Sequence, residues 1–166
     1  EFISGGATSS YLRVLEGNMP RRINLLRIGE GILLARDSQE LWGYDMSDMY
    51  QDAFTLQAEV IEVRDKPSHP VGEIMFDAFG NRPEYQDRGI RRRALIAIGK
   101  VDYGFPDQLI PRDKDLKILG ASSDHTILDV QDCGRNYKTG DIIEFDLWYA
   151  PLVYATSSPN VDVVYI

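Results

Sequence analysis

Two stretches near the N-terminus carry residue types suited to holding an anion. Phe2-Ile3 runs into Ser4, Gly5, Gly6, Ala7, Thr8, Ser9 and Ser10, and the apolar Ile23–Ile28 runs into Gly29, Glu30 and Gly31. In each, a strand-like run ends in small residues ahead of a helix-compatible segment. Glycine lets a backbone approach closely, serines cap or donate, and a helix N-terminus adds its dipole. Two such turns about 20 residues apart predict successive βα units sharing one phosphate site at the C-terminal ends of parallel strands. Two ordinary capped turns would have the same spacing. Arg27 stands at the end of the second strand, where barrel enzymes place active-site groups. With Arg13, Arg21, Arg22 and Arg36 nearby in the sequence, a surface arginine is the competing reading.

The elements that must position these residues follow from pattern. Tyr11–Glu16 after Ser9-Ser10 reads as a short helix, stopped by Gly17-Asn18 and Pro20. Ile23–Ile28 reads as a buried parallel strand. Ile32–Ala35 reads as a helical turn ending near Arg36-Asp37, and Ser38–Asp52 lacks clear periodicity. From Phe54 the pattern turns to β: Phe54, Leu56, Ala58 and Val60 alternate with Thr55, Gln57 and Glu59. Further strands are predicted at Ile74–Phe76, Ala94–Ile98, Leu116–Leu119, Thr126–Val130, Asp141–Leu147, Leu152–Ala155 and Val161–Ile166. Lys66–Pro70, Asp132–Gly134 and Lys138–Asp141 carry turn chemistry, and Gly80–Gly89 reads as a loop. Strands and turns at this spacing predict an antiparallel barrel or sandwich.

Composition narrows the function classes. A chain of 166 residues can bury a real core. A formal charge of −8 disfavours a nucleic-acid partner. Nothing in the sequence is long and apolar enough to span a membrane, and no signal peptide is visible. The single cysteine, Cys133, excludes an internal disulfide framework and fits a reducing, cytoplasmic compartment. The two histidines, His69 and His125, are too few for a His-rich site, and no metal is expected. The run Arg91-Arg92-Arg93 reads as a solvated or dimer-interface run pairing with the acidic excess. The sequence opens inside a strand without an initiator Met, which predicts the C-terminal portion of a longer chain; a cloning scar at Glu1-Phe2 is the alternative.

Taken in order, Ser4–Asp37, Met49–Val60, Asp87–Asp102, Ile118–Val130 and Tyr137–Leu147 resemble the pyridoxal-phosphate racemases of the alanine/ornithine racemase family, on the ornithine side of it. The resemblance covers nearly the whole chain. It is carried by the ordered series of motifs and by no single one. The fold it implies is α/β plus all-β: the last βα units of a (β/α)8 barrel in residues 1–40, then a C-terminal β-domain in 41–166. Ser38–Asp52 would be the crossing between them.

The resemblance also implies roles. Ser9 and Ser10, with the backbone of Gly29 and Glu30, match the phosphate contacts of pyridoxal 5'-phosphate. Arg27 matches the arginine that bonds the pyridine nitrogen; a guanidinium keeps its proton, so the ring nitrogen stays unprotonated and a weaker electron sink. Ser157 stands near the position of a phosphate-binding tyrosine, with a plain loop before Pro159 as the rival. Racemisation removes a proton from one face of the α-carbon and returns one to the other. The Schiff-base lysine of the family lies on an N-terminal portion of the enzyme, and the opposite base comes from the β-domain of a second subunit. Phe79 takes the place of the tyrosine base of alanine racemases, so another group must act. The candidates are Asp124 and His125, in the loop beside the substrate; Asp77, as base or as ligand for a cationic side chain; and Lys100, in place of an active-site tyrosine. Each has an ordinary alternative, a turn bond at Asp124-His125 or an ion pair at Lys100–Asp102.

The expected activity is interconversion of L- and D-amino acids, of a basic side chain if Asp77, Asp102 and Asp124 face it. The expected partners are the N-terminal portion of the same enzyme, a second copy in a homodimer, and a small amino acid. The rivals are a non-catalytic coenzyme-binding protein and a β-barrel interaction module.

Overall fold

The front turn and the arginine-bearing segment pair side by side and in parallel. Asn24 donates to the Ile3 carbonyl (3.1 Å), Gly5 to Leu25 (2.9 Å) and Arg27 to Gly6 (2.8 Å). The regular pairing is one parallel bridge, Ser4 to Leu25, so the strand predicted over Ile23–Ile28 shrinks to a short ladder. Gly5 permits the close approach: a Cβ there would lie 2.6 Å from Cγ2 of Ile23. Each arm leads into a helix, α1 (Thr8–Leu15) and α2 (Glu30–Leu33), and α3 (Arg36–Glu40) follows within the stretch that showed no periodicity. The computed structural model describes residues 1–76, 80, 82 and 84–166. It divides into two compact units, Glu1–Phe54 and Thr55–Ile166.

The second unit is built on one six-stranded antiparallel sheet in the order β3-β6-β1-β2-β5-β4. The strands are β1 (Leu56–Pro67), β2 (Ile90–Ile96), β3 (Leu109–Pro111), β4 (Lys117–Ala121), β5 (Thr126–Asp129) and β6 (Ile142–Leu147). The alternation read from the sequence sets the inner face: Leu56, Ala58 and Val60 are buried, and Gln57 and Glu59 are exposed. Ala94, Ile96, Leu128, Ile143 and Phe145 complete that face, all buried. Each large apolar side chain there contributes about 1.5–3 kcal/mol of burial.

β1 serves both halves of the sheet. Leu56–Glu59 pair with β6, Val60–Pro67 pair with β2, and the register shifts between Val60 and Glu62. Ile61 is the extra residue of that bulge, which bends the strand and raises its twist. The sheet curls until β4, at one edge, lies against the 3-10 turn Pro106–Gln108 that feeds β3 at the other. This is the antiparallel β-domain expected from the sequence.

Three predicted strands are corrected. Leu152–Ala155 lies in a helix, α5 (Tyr149–Ala155), with Pro151 in its first turn and Pro151, Leu152 and Ala155 buried. Val161–Ile166 forms no strand; its apolar side chains from Val163 onward are exposed, and no strand among the described residues pairs with it. Ile74–Phe76 forms none either, with Met75 and Phe76 exposed. A short apolar run does not say by itself which partner, if any, will take its backbone bonds.

The arginine run lies inside β2 and is used within the chain. Arg91 bonds both oxygens of Asp129 and both of Asp132, which raises its pKa, chiefly through Asp129. Arg92 pairs with Asp65 (3.7 Å), and Arg93 donates to the Ser68 carbonyl (2.8 Å). No helix among the described residues is long and apolar enough to cross a membrane.

Candidate functional site

In the first unit the two turns are joined at their helix starts. Gly31 N–H donates to the buried Thr8 hydroxyl (3.1 Å). A Cβ on Gly31 would stand 2.7 Å from the Tyr11 ring and 2.9 Å from Thr8 Cγ2, so glycine is what allows α2 to seat against α1. Thr8, which the sequence reading did not single out, is therefore the side chain that sets the spacing of the turns. Gly6 lies at φ +105°, in the region open to glycine, and turns the chain into α1. The serines do not cap: Ala7 is the N-cap, and Ser9 and Ser10 sit in the first turn. The first N–H groups of a helix have no intrahelical acceptor. The amides of Ser9 and Glu30 and the hydroxyls of Ser9 and Ser10 are accordingly uncommitted among the described residues.

Glu30 separates its backbone from its side chain. The carboxylate turns back to α3, where Oε1 accepts from Asp37 N–H (2.9 Å), and Oε2 is buried without a partner. Burial raises its pKa and the nearby Asp37 adds to the rise, against the amides of Asp37 and Arg36. A raised carboxyl pKa means that the folded chain binds this proton more tightly than the unfolded chain. Its contribution is complete at low pH and is lost as pH climbs from about 4.5 through the raised value. Glu30→Gln keeps the acceptor and removes that loss. The variant should gain stability relative to the parent between pH 4 and pH 8, as read from urea midpoints; a gap that closes or reverses over that range refutes the assignment.

The donor set fits a phosphate dianion: amides and hydroxyls at two helix starts, with the Glu30 carboxylate turned back to α3. Arg27 is exposed at the end of its segment, and among the described residues only its backbone N–H is engaged.

In the second unit, three segments carrying predicted residues are tied together. α4 (Lys100–Tyr103) begins at Gly99, and its first amides donate to the loop before β5: Lys100 to the Ser122 carbonyl (2.9 Å) and Val101 to Ser123 (3.1 Å). A Cβ on Gly99 would fall 2.1 Å from that Ser123 oxygen. Lys100, Asp124 and His125 thus stand on adjoining loops. Ser122 Oγ is the knot of the second loop, accepting from His125 N–H (3.2 Å) and Asp124 N–H (3.3 Å) and contacting His125 Nδ1 (2.9 Å). Ser123 Oγ donates to Asp124 Oδ2 (2.8 Å). Beneath, the buried Tyr103 hydroxyl meets Thr126 Oγ1 (2.6 Å), which donates to the Ile98 carbonyl (2.7 Å).

The third segment is the turn after α5. Ser157 is exposed there; its neighbour Ser158 donates to Asp102 Oδ1 (2.8 Å), as does the Asn160 side-chain amide (3.0 Å). Asp102 is buried and does not face outward toward a cationic ligand. Asp77 lies outside the described residues, as does Phe79. Burial, then Asp113, pushes the Cys133 thiol up to about 12, away from the thiolate form. A polar groove of about 430 Å³ near Arg112, Arg135 and Tyr137 contains none of the predicted residues, and both arginines are ion-paired there. Among the described residues no cluster of His, Cys, Asp and Glu could hold a metal.

Comparison with known proteins gives the class. The chain is 45% identical over 160 residues to the ornithine racemase of Acetoanaerobium sticklandii, covering 96% of this chain and 44% of that protein. It is 44% identical over 165 residues to the lysine racemase of Thermotoga maritima, covering 99% of this chain and 46% of that protein. Among solved structures, the alanine racemase of Bartonella henselae with covalently bound pyridoxal phosphate shares the fold. The TM-score is 0.58 at 20% identity, over 96% of this chain and 42% of that one. No family model matches the chain. The chain is thus similar over nearly its whole length to racemases of ornithine and lysine, and it spans less than half the length of those relatives.

Proposed function

We propose that this chain is part of a pyridoxal-phosphate-dependent racemase that interconverts the L- and D-forms of a basic amino acid such as ornithine or lysine. The observation that carries the reading is the parallel pairing of the two small-residue turns, locked by the Thr8–Gly31 bond. It sets the uncommitted first-turn groups of α1 and α2 next to one another, as one anion site requires. In this reading residues 1–40 close a (β/α)8 barrel, and the chain then crosses to the β-domain.

Ser9, Ser10 and the amides of Gly29 and Glu30 hold the phosphate, with Ser157 as a further hydroxyl donor. Arg27 donates to the ring nitrogen and leaves no proton on it. Bound pyridoxal phosphate would supply the electron sink that lets the α-proton leave. His125, whose Nδ1 contacts Ser122 Oγ, and Asp124 beside it would exchange a proton or hold the substrate ammonium. Lys100 lines the adjoining loop. Asp77 remains a candidate for the second base or for the substrate's cationic end. The names of the relatives favour a basic substrate. Homodimerisation, with the β-domain of one subunit serving the coenzyme of the other, belongs to the same proposal.

The test is a D/L interconversion assay on the full-length protein with a panel of amino acids. Turnover of ornithine or lysine is expected to exceed that of alanine. Absence of turnover with every member would remove the racemase reading; coenzyme binding without turnover would favour the carrier.

A further inference from the structure

We infer that Asp102 is a positioning residue, a buried latch that holds the Lys100 loop and the Ser157 turn to each other. The inference rests on the site reading above, but its geometry lies wholly within the second unit. One oxygen, Oδ2, accepts from Gly99 N–H (3.1 Å) at the mouth of α4; the other, Oδ1, accepts from Ser158 Oγ (2.8 Å) and Asn160 Nδ2 (3.0 Å) beyond α5. A single carboxylate therefore connects segments 56 and 58 residues apart in the chain. The residue is only 5% exposed, and the partners given for its carboxylate among the described residues are neutral donors. Burial opposes the charge, yet the Asn160, Gly99 and Ser158 donors outweigh it and lower the pKa. Three donors on one buried carboxylate hold both segments in a single arrangement.

The connection runs further. Gly99 is the residue whose backbone lies against Ser123, and α4 donates its first amides to Ser122 and Ser123. The latch thus ties the segments that carry Lys100 and Ser157 to each other and, through α4, reaches the Asp124-His125 loop. Its loss should move the loops while leaving each of those groups chemically intact.

The experiment uses the full-length protein and three variants, Asp102→Asn, Ser158→Ala and Ser158→Thr. Ser158→Ala alters only the half-exposed turn and covers the case in which Asp102→Asn does not fold. Hydrogen exchange is read at amides 99–103 and 157–161, alongside KM, kcat and the dissociation constant of pyridoxal phosphate. With Ser158→Ala, exchange should quicken about tenfold or more in both segments, the distant one included. KM and the coenzyme constant should rise by a similar factor and kcat should fall less, while Ser158→Thr stays near the parent. Faster exchange confined to the turn that carries the substitution overturns the latch, as do unchanged KM and coenzyme affinity in an active parent. A parent that neither binds pyridoxal phosphate nor turns over any amino acid sinks the racemase reading instead, and the exchange data alone then decide the latch.

Discussion

Gly99→Ala is expected to lower the melting temperature of the protein by roughly 10 °C and to abolish most of its activity. The new methyl would stand 2.1 Å from the Ser123 carbonyl oxygen, 2.4 Å from its carbon and 2.5 Å from Asp124 N. All three are backbone atoms, so no rotamer change relieves the overlap. Either α4 withdraws or the Ser122–His125 loop does. Withdrawal stretches the bonds from Lys100 N–H and Val101 N–H to that loop. Overpacking costs typically 1–3 kcal/mol, and two weakened backbone hydrogen bonds add about 1 kcal/mol each. Calorimetry on the full-length variant checks the stability, and the racemisation assay checks the site. A melting temperature within about 2 °C of the parent would show that the contact is looser than described. Gly134 is the control, because a Cβ there meets nothing within 4 Å and Gly134→Ala should leave both readouts near the parent.

The second large effect is at Arg27. Arg27→Leu should reduce kcat/KM by about 10- to 100-fold, the range of a lost charge-assisted hydrogen bond. If Arg27 faces the ring nitrogen as proposed, the absorbance spectrum of the bound coenzyme should change as well. Arg22→Leu is the comparison. It removes an equally exposed arginine from the preceding turn and should stay within about twofold, as surface changes do. Equal losses from both variants would return Arg27 to the class of surface arginines, and the anion site of α1 and α2 would have to stand without it.

The two turns of the first unit were legible because they rest on glycine and on chain order. Gly5, Gly6 and Gly31 marked close backbone approach, and each has a neighbour or a positive φ that demands it. The alternation in Leu56–Val60 fixed which face of β1 is buried. The sequence did not reveal what depends on partners far along the chain. For Asp102 the sequence offered a cationic ligand or an ion pair with Lys100, and nothing local pointed to Ser158 and Asn160. Thr8 looked like one more small polar residue until Gly31 was brought to it. Tyr149–Ala155 and Val161–Ile166 have comparable apolar content. The first is helical because Leu152 and Ala155, three residues apart, face the interior together, and the second finds no strand to pair with. Arg91–Arg93 suggested a surface run, yet their acidic and carbonyl partners come from within the same unit.

The bulge at Ile61 bears on how this domain comes apart. Because β1 is a member of both ladders, no line can be drawn across the sheet that separates β6 and β3 from β2, β5 and β4 without cutting a continuous backbone at its centre. Fraying can begin at the rims, at β3 or β4, but opening of the middle must release everything at once. Amides in β6 and β5, on opposite sides of that shared member, should therefore report one common opening free energy, and the β-domain should melt as a single cooperative body.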